Sequence, residues 1–271
     1  MPELPEVETT VRGLARHLEG ERLEHVALNR PDMRFPFPDG LVQALAGARV
    51  TALGRRAKYG LVHTDRGQTM VFHLGMSGRW RIDPDEIGKH DHLVLATAGH
   101  RFALCDPRRF GFVDLVTTER LDQWPPFAAM GPEPLGPGLT AAHLGRALAG
   151  RRQAVKLLLL DQRIVAGLGN IYVCEALYRA RIDPAKAAGK VSKPALGRLV
   201  AAIREVLGEA IEAGGSTLRD FARPDGELGY FSKRFDAYGR EGEPCRRSDG
   251  GTIARIAQGG RSTWWCPSCQ K

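Results

Sequence analysis

Gly131-Pro132-Glu133-Pro134-Leu135-Gly136-Pro137-Gly138, with Pro125-Pro126 just upstream, divides this chain into two differently built halves. Proline fixes φ and withholds an N–H, and glycine loosens the backbone, so this density of both continues neither helix nor strand. The segment reads as a domain linker over residues 131–139. On its N-terminal side, residues 23–29, 50–53, 60–64, 69–74, 92–96, 101–105 and 112–116 are short runs with β-branched or aromatic residues between turn signals. Strands this short and this closely spaced predict a β-sandwich or flattened barrel. A leading helix over residues 6–19, with Pro5 suited to its first turn, precedes them. On the C-terminal side, residues 144–148, 155–160, 171–178 and 196–211 carry apolar residues at helical spacing. The predicted fold class is α+β with two domains, a β-sandwich over residues 1–130 followed by a helical domain from residue 140.

The chain's 271 residues suffice for two separate cores. Its hydrophobic content is that of a globular protein. No apolar run reaches the ~18–20 residues of a membrane helix, and the acidic start is no signal peptide. A cytoplasmic protein with no membrane partner is expected. The formal net charge of +8 suits a polyanionic partner, although a solvated basic surface would give the same number. Arginine predominates over lysine, and its planar fork suits phosphates and guanine edges. The five cysteines, an odd count, argue against a disulfide framework. Cys105 and Cys174 sit in apolar contexts and read as core residues.

Two local patterns carry chemistry. Met1-Pro2-Glu3-Leu4-Pro5-Glu6-Val7-Glu8 places a proline where removal of Met1 would leave a secondary amine with a carboxylate beside it. Such an amine attacks an aldehyde carbon to form an iminium. An α-amino group titrates near ~7.7–8, and a following helix N-terminus lowers that further. The second pattern is Gly167-Leu168-Gly169-Asn170, which places Asn170 at the N-cap of the next helix. The exposed N–H groups there suit a DNA phosphate, and a plain helix–helix turn is the competing reading.

The N-terminal string resembles that of the formamidopyrimidine-DNA glycosylases, bacterial enzymes that excise oxidised purines. The resemblance recurs in family order at Arg55-Arg56-Ala57-Lys58-Tyr59, His73-Leu74-Gly75-Met76-Ser77-Gly78, Lys89-His90-Asp91-His92 and Asp106-Pro107-Arg108-Arg109-Phe110-Gly111. It continues through residues 161–172 and Gly259-Gly260-Arg261-Ser262-Thr263. It implies a helix–two-turn–helix DNA-binding domain over residues 140–234 and a zinc-finger-like β-hairpin over residues 235–271. The implied activity is base-excision repair: a bifunctional glycosylase removes 8-oxoguanine and formamidopyrimidines through a proline Schiff base, followed by β,δ-elimination. The implied partner is double-stranded DNA containing oxidised bases or abasic sites, bound by a monomer.

Residue by residue, the resemblance makes Pro2 the nucleophile and Glu3 the general acid/base. Lys58 contacts phosphate beside the lesion, and Arg261 grips phosphate for the second elimination. Met76, Arg108 and Phe110 fill the void left by the extruded nucleotide. The flanking Gly75, Gly78 and Gly111 favour exposed turns over a core reading of Met76 and Phe110. His90, Arg151, Lys156 and Asn170 are expected backbone contacts, while Glu6 and Glu175 either bind near Pro2 or cap helices. The glycine-rich residues 214–230 correspond to the family's loop over the extruded base, or form a slack connector.

The family's hairpin carries four cysteines in two Cys-x-x-Cys knuckles. This chain keeps Cys266-Pro267-Ser268-Cys269 but has Cys245-Arg246-Arg247-Ser248, and its following turn is one residue longer. A serine hydroxyl stays protonated near neutral pH, whereas structural zinc sites take four strong ligands. Three readings stay open: zinc on Cys245, Cys266 and Cys269 with Asp249, Ser248 or water in fourth place; a metal-free hairpin held by Trp264-Trp265 and Ile253–Ile256 packing; or weak, conditional metal binding. The reaction itself needs no cofactor. Two other functions compete: an endonuclease VIII-like enzyme acting on oxidised pyrimidines, and a non-catalytic damaged-DNA reader. Leu4 and the Met76, Arg108 and Phe110 set favour the purine branch over the first. Pro2, Glu3, Lys58 and Arg261 together oppose the second.

Overall fold

The computed structural model describes residues 2–216, 224 and 229–271. The chain divides into two compact units, Met1–Ala128 with Ala213–Tyr230, and Ala129–Glu212 with Phe231–Lys271.

In the first unit, helix α1 (Leu4–Leu18) leads into strand β1 (His25–Leu28) and the short helix α2 (Leu41–Leu45). Strands β2 (Val50–Arg56), β3 (Tyr59–Thr64), β4 (Gln68–His73) and β5 (Arg79–Ile82) follow. Strands β6 (Asp91–Ala96), β7 (Arg101–Cys105) and β8 (Phe112–Thr117) and helix α3 (Pro125–Ala128) complete it. The strands form two four-stranded antiparallel sheets, ordered β1-β6-β7-β5 and β2-β3-β4-β8. One core unites Val26, Leu93, Phe102 and Leu104 of the first sheet with Val62, Met70, Phe72 and Val113 of the second. Val7, Val11, Leu14 and Leu18 add the apolar stripe of α1, a spacing of alternating threes and fours that keeps one helix face inward. Phe72 and Trp80, from opposite sheets, meet edge to face at 5.6 Å. Gly60 permits this packing, since a Cβ there would lie 2.0 Å from the Phe72 ring. The expected sandwich therefore forms. Strand β5 was not expected, because its four residues, Arg79-Trp80-Arg81-Ile82, offer one alternation too few to register as a strand.

The second unit contains helices α4 (Ala141–Leu148), α5 (Val155–Leu159), α6 (Asn170–Ala180) and α7 (Lys193–Glu212), then strands β9 (Ala254–Gln258) and β10 (Arg261–Trp265). Helix α6 is buried along nearly its whole length and packs against α7 and β10. Among the described residues no helix is long and apolar enough to cross a membrane.

The boundaries depart from the sequence reading in two places. The Pro/Gly segment is no free linker: Gly131 N–H donates to the Gln162 carbonyl at 2.9 Å, Ala166 N–H donates to the Pro132 carbonyl at 3.1 Å, and Leu139 is fully buried. Proline and glycine here fit a strand of chain closely onto the helical unit, where a Cβ on Gly131 would come 2.6 Å from the Arg163 carbonyl oxygen. The other departure is Ala213–Tyr230, which groups with the sandwich and not with the helices. Ser216 donates from N and Oγ to Glu6, each at 2.8 Å, and the Pro224 carbonyl accepts Ile82 N–H at 2.9 Å. The expected lesion loop rests largely on residues 217–223 and 225–228, which lie outside the described residues, as does Met1.

Candidate active site and nucleic-acid interface

In the first unit Pro2 is buried immediately before α1. Glu3, 2% exposed, is the helix N-cap, and its side chain and that of Glu6 form a reciprocal capping box. Glu6 takes the Glu3 N–H at 2.9 Å with one oxygen and both Ser216 donors with the other. Glu6 thus caps the helix and also fixes the peptide unit joining Glu3 to Pro2. Lys58 is 9% exposed in the β2–β3 turn, beside Ala57 at φ 53°. That turn is tied to α1 by Arg55, which donates to Glu8 at 2.8 Å and to the Ala57 carbonyl at 2.9 Å. Burial pushes the Glu8 carboxyl up, but the bonds from Arg55 and Arg12 outweigh it and hold Glu8 below the usual range.

Met76, Arg108 and Phe110 come together on one cavity of about 620 Å³, shared with Met33, Arg34, His73 and Arg109. Phe110 is 44% exposed, and the Arg108 guanidinium lies 4.7 Å from its ring centre. An exposed aromatic stacked under a cation is a wedge-shaped, positively charged rim, which suits insertion into a base stack. Buried Asp106 joins the two loops that carry it, accepting Ser77 Oγ at 2.6 Å and Gly111 N–H at 2.8 Å. Gly75, at φ 61°, lets the loops touch, since a Cβ there would lie 2.3 Å from the Gly111 nitrogen. His73 accepts Gly75 N–H at 3.1 Å. Burial, then the Lys58 and Arg34 charges, push the His73 imidazole down to about 4, so it is neutral and acts as an acceptor. His90 is half-buried, and its carbonyl accepts the Asp106 N–H at 2.9 Å.

In the second unit Gln162 braces the turn between α5 and α6, donating to the Leu160 and Leu168 carbonyls at 3.1 and 2.9 Å and accepting Gly167 N–H at 2.8 Å. Asn170 is not the N-cap of α6. Gly169 holds that place in an extended conformation, and the Asn170 amide donates to the Ser262 carbonyl at 3.0 Å. Lys156, expected as a backbone contact, is fully buried, its ammonium 2.6 Å from Thr263 Oγ1 and 3.2 Å from the Ser262 carbonyl. Both residues therefore grip the hairpin strand directly after Arg261, which is itself exposed. Arg151 is exposed beyond the end of α4. Glu175 accepts the N–H groups of Asp236, Ala237 and Tyr238 at 2.7–2.9 Å, a loop clamp, and burial raises its carboxyl pKa against those bonds.

Cys245, Asp249, Cys266 and Cys269 bring their ligand atoms within 4.8 Å of one another. Zinc bonds of about 2.3 Å to sulfur and 2.0–2.2 Å to oxygen place tetrahedral S and O ligands about 3.6 Å apart. Asp249 Oδ2 lies 3.3 Å from Cys245 Sγ and 3.8 Å from Cys266 Sγ, either side of that value, so the residues fit a zinc ion. The remaining cysteines, Cys105 and Cys174, are buried and form no disulfide.

Sequence reasoning missed Asp106, Ser77, Met33 and Arg34 as parts of the rim. Asp106 and Ser77 lie inside the quoted motifs, so a buried aspartate between two glycine-rich turns was the available signal. Nothing in the text around Met33 and Arg34 marks them, because their place depends on the Arg34 N–H bond to the Gly111 carbonyl at 3.0 Å.

Family models match three stretches: the formamidopyrimidine-DNA glycosylase N-terminal domain at residues 1–113, the formamidopyrimidine-DNA glycosylase H2TH domain at residues 130–222, and the zinc finger found in FPG and IleRS at residues 242–271. Formamidopyrimidine-DNA glycosylases of Erythrobacter litoralis and Novosphingobium aromaticivorans are 74% and 72% identical to the chain, with all of both chains covered. Among solved structures, the Lactococcus lactis Fpg complex with DNA containing an abasic site has a TM-score of 0.92 at 32% identity, covering 100% of both chains. The MutM (FPG) protein of Thermus thermophilus has a TM-score of 0.89 at 39% identity, covering 99% of this chain and 98% of that one.

Proposed function

This chain belongs to the formamidopyrimidine-DNA glycosylase family, and on that premise we propose that it acts in base-excision repair, removing oxidised purines from duplex DNA and then cleaving the abasic site. The observation that carries this reading is the buried Pro2-Glu3 pair at the start of α1, held by Glu6.

Removal of Met1 frees the Pro2 amine. Its lone pair bonds to the sugar C1′ as the C1′–base bond breaks, and the proton that the amine nitrogen gives up leaves with the base. Glu3 protonates the ring oxygen as the C1′–O4′ bond opens, which leaves an iminium between Pro2 and C1′. The iminium acidifies the C2′ proton. Its loss expels the 3′ phosphate, and a second elimination expels the 5′ phosphate. Water then hydrolyses the iminium and regenerates the amine. Lys58 and Arg261 supply charge to the phosphates, while Met76, Arg108 and Phe110 occupy the emptied stack. His90, Arg151 and the first turn of α6 at Asn170 bind the backbone. Cys245, Cys266 and Cys269 would hold a structural zinc ion, which cross-links the hairpin and takes no part in the chemistry. The protein works as a monomer on its DNA.

Borohydride trapping tests the reading, using duplexes with 8-oxoguanine opposite cytosine and, in parallel, 5,6-dihydrouracil. The expected result is a covalent band on the oxoguanine duplex, lost in Pro2→Gly and reduced in Glu3→Gln. A stronger band on the pyrimidine duplex would move the substrate to oxidised pyrimidines. Tight binding without any band, from protein with a free Pro2 amine, would leave a non-catalytic damage reader.

A further inference from the structure

The zinc-finger hairpin differs from a four-cysteine site in a way the geometry accounts for. The first knuckle reads Cys245-Arg246-Arg247-Ser248-Asp249, so the fourth place falls one residue later than in a Cys-x-x-Cys knuckle. Ser248 adopts φ 54°, a left-handed conformation uncommon outside glycine, and its N–H closes a turn on the Cys245 carbonyl at 3.2 Å. That turn spends Ser248 on the backbone and delivers the next side chain, Asp249, to the thiols. The two carboxylate oxygens then have separate partners. Asp249 Oδ1 accepts Gly251 N–H at 2.9 Å, while Oδ2 faces Cys245 Sγ at 3.3 Å and Cys266 Sγ at 3.8 Å. Anchoring one oxygen and aiming the other is how an outer hydrogen bond orients a carboxylate ligand. Gly251 must be glycine, since a Cβ there would come 2.7 Å from Cys266 Sγ.

Charge adds a second, independent argument. Three thiolates and a carboxylate around a divalent ion leave two net negative charges. Arg247 stands beside them: its guanidinium donates to Cys269 Sγ at 3.1 Å and to the Arg179 carbonyl at 3.2 Å, and it lies 4.1 Å from the Tyr178 ring centre. Tyr178 OH is 3.2 Å from Cys245 Sγ. Stacking on Tyr178 and the bond to a backbone carbonyl fix the cation against the sulfur.

We infer that Asp249 is the fourth zinc ligand, delivered by the left-handed Ser248, and that Arg247 is the built-in counter-cation that retains the metal. This rests on the structural-zinc reading above. The centre is thus a three-thiolate, one-carboxylate site whose single oxygen ligand is its exposed corner. Chelators would open it there, because the carboxylate is the exposed member of the ligand set.

The test uses the full-length protein, with metal content measured per chain and zinc release to a colorimetric chelator followed in time. Wild type should hold one zinc. Asp249→Asn should release it at least ten times faster, Ser248→Ala at the wild-type rate, and Arg247→Gln about tenfold faster, the scale of outer-sphere losses. Cobalt substitution adds a readout independent of stability: the thiolate-to-cobalt absorption should correspond to three sulfurs in wild type and gain a fourth in Asp249→Cys, but not in Ser248→Cys. Zinc absent from wild type would overturn the structural-zinc reading itself. Zinc present but indifferent to Asp249, or a fourth sulfur appearing in Ser248→Cys, would overturn the ligand assignment alone. Unchanged release from Arg247→Gln would overturn the role of the arginine.

Discussion

Ser77 Oγ donates to Asp106 Oδ1 at 2.6 Å, and the bond joins two loops 29 residues apart in sequence. The other oxygen of Asp106 takes Gly111 N–H at 2.8 Å, so one fully buried carboxylate sets the spacing of Met76 from Arg108 and Phe110. Asp106→Ala removes both acceptors from buried donors and should cost about 2–4 kcal/mol. Ser77→Ala, which removes one donor, should cost about 1 kcal/mol. Below its melting temperature, the Asp106→Ala protein should also bind a duplex with an abasic-site analogue at least tenfold more weakly. Wild-type affinity in a folded Asp106→Ala protein would show that the rim does not depend on this carboxylate.

His73 makes the fold sensitive to acid. Its imidazole is pushed down to about 4 by burial and by the charges of Lys58 and Arg34. An unfolded histidine takes a proton near ~6.5, so below that pH the unfolded chain binds a proton the folded chain resists. The contribution is fully present above about pH 6.5 and is lost as pH falls towards the folded value. Denaturant titrations should show wild type losing of order 2–3 kcal/mol more than His73→Gln across that window. Parallel curves for the two proteins would mean that His73 titrates normally.

The division into a sandwich and a helical half was legible in the sequence because it rests on periodicity and punctuation, which are local. So was the placement of Pro2 and Glu3 at the start of α1, where the capping partner Glu6 is only three residues on from Glu3. What was not legible depends on partners far along the chain. Lys156 reads as a free cation until Thr263, 107 residues on, is seen to receive it. Asn170 reads as a cap because asparagine favours that place, yet Ser262 takes its amide and Gly169 takes the cap. The segment around Gly131 reads as a linker because glycine and proline serve both loops and close packing.

Glu8 and Arg55 tie the Lys58 turn to α1. Arg55→Gln removes a half-buried charged bond to Glu8 and the guanidinium donor to the Ala57 carbonyl, and it should cost about 1–3 kcal/mol. Because the folded Glu8 carboxyl lies below its ordinary value, its contribution is present above about pH 4.5 and fades as pH falls through the lowered value. Glu8→Gln should therefore be less stable than wild type at neutral pH, with the gap closing on acidification. A gap that widened in acid would reverse the assigned sign.

Lys156 and Asn170 converge on the carbonyl of Ser262, the residue after Arg261. This makes Lys156 a positioning residue for the hairpin arginine, and its fully buried ammonium is what the hairpin strand is hung on. Lys156→Met keeps the side-chain volume but leaves Thr263 Oγ1 and the Ser262 carbonyl without that donor, at a cost of about 2–3 kcal/mol. Its effect on the reaction should resemble that of Arg261→Ala: the second elimination slows relative to the first, and the singly eliminated product accumulates on gels. The double variant separates positioning from direct contact. If Lys156 acts through Arg261, Lys156→Met should add little to product partitioning once Arg261 is alanine. Two independent, additive losses would instead place the Lys156 ammonium on the DNA itself.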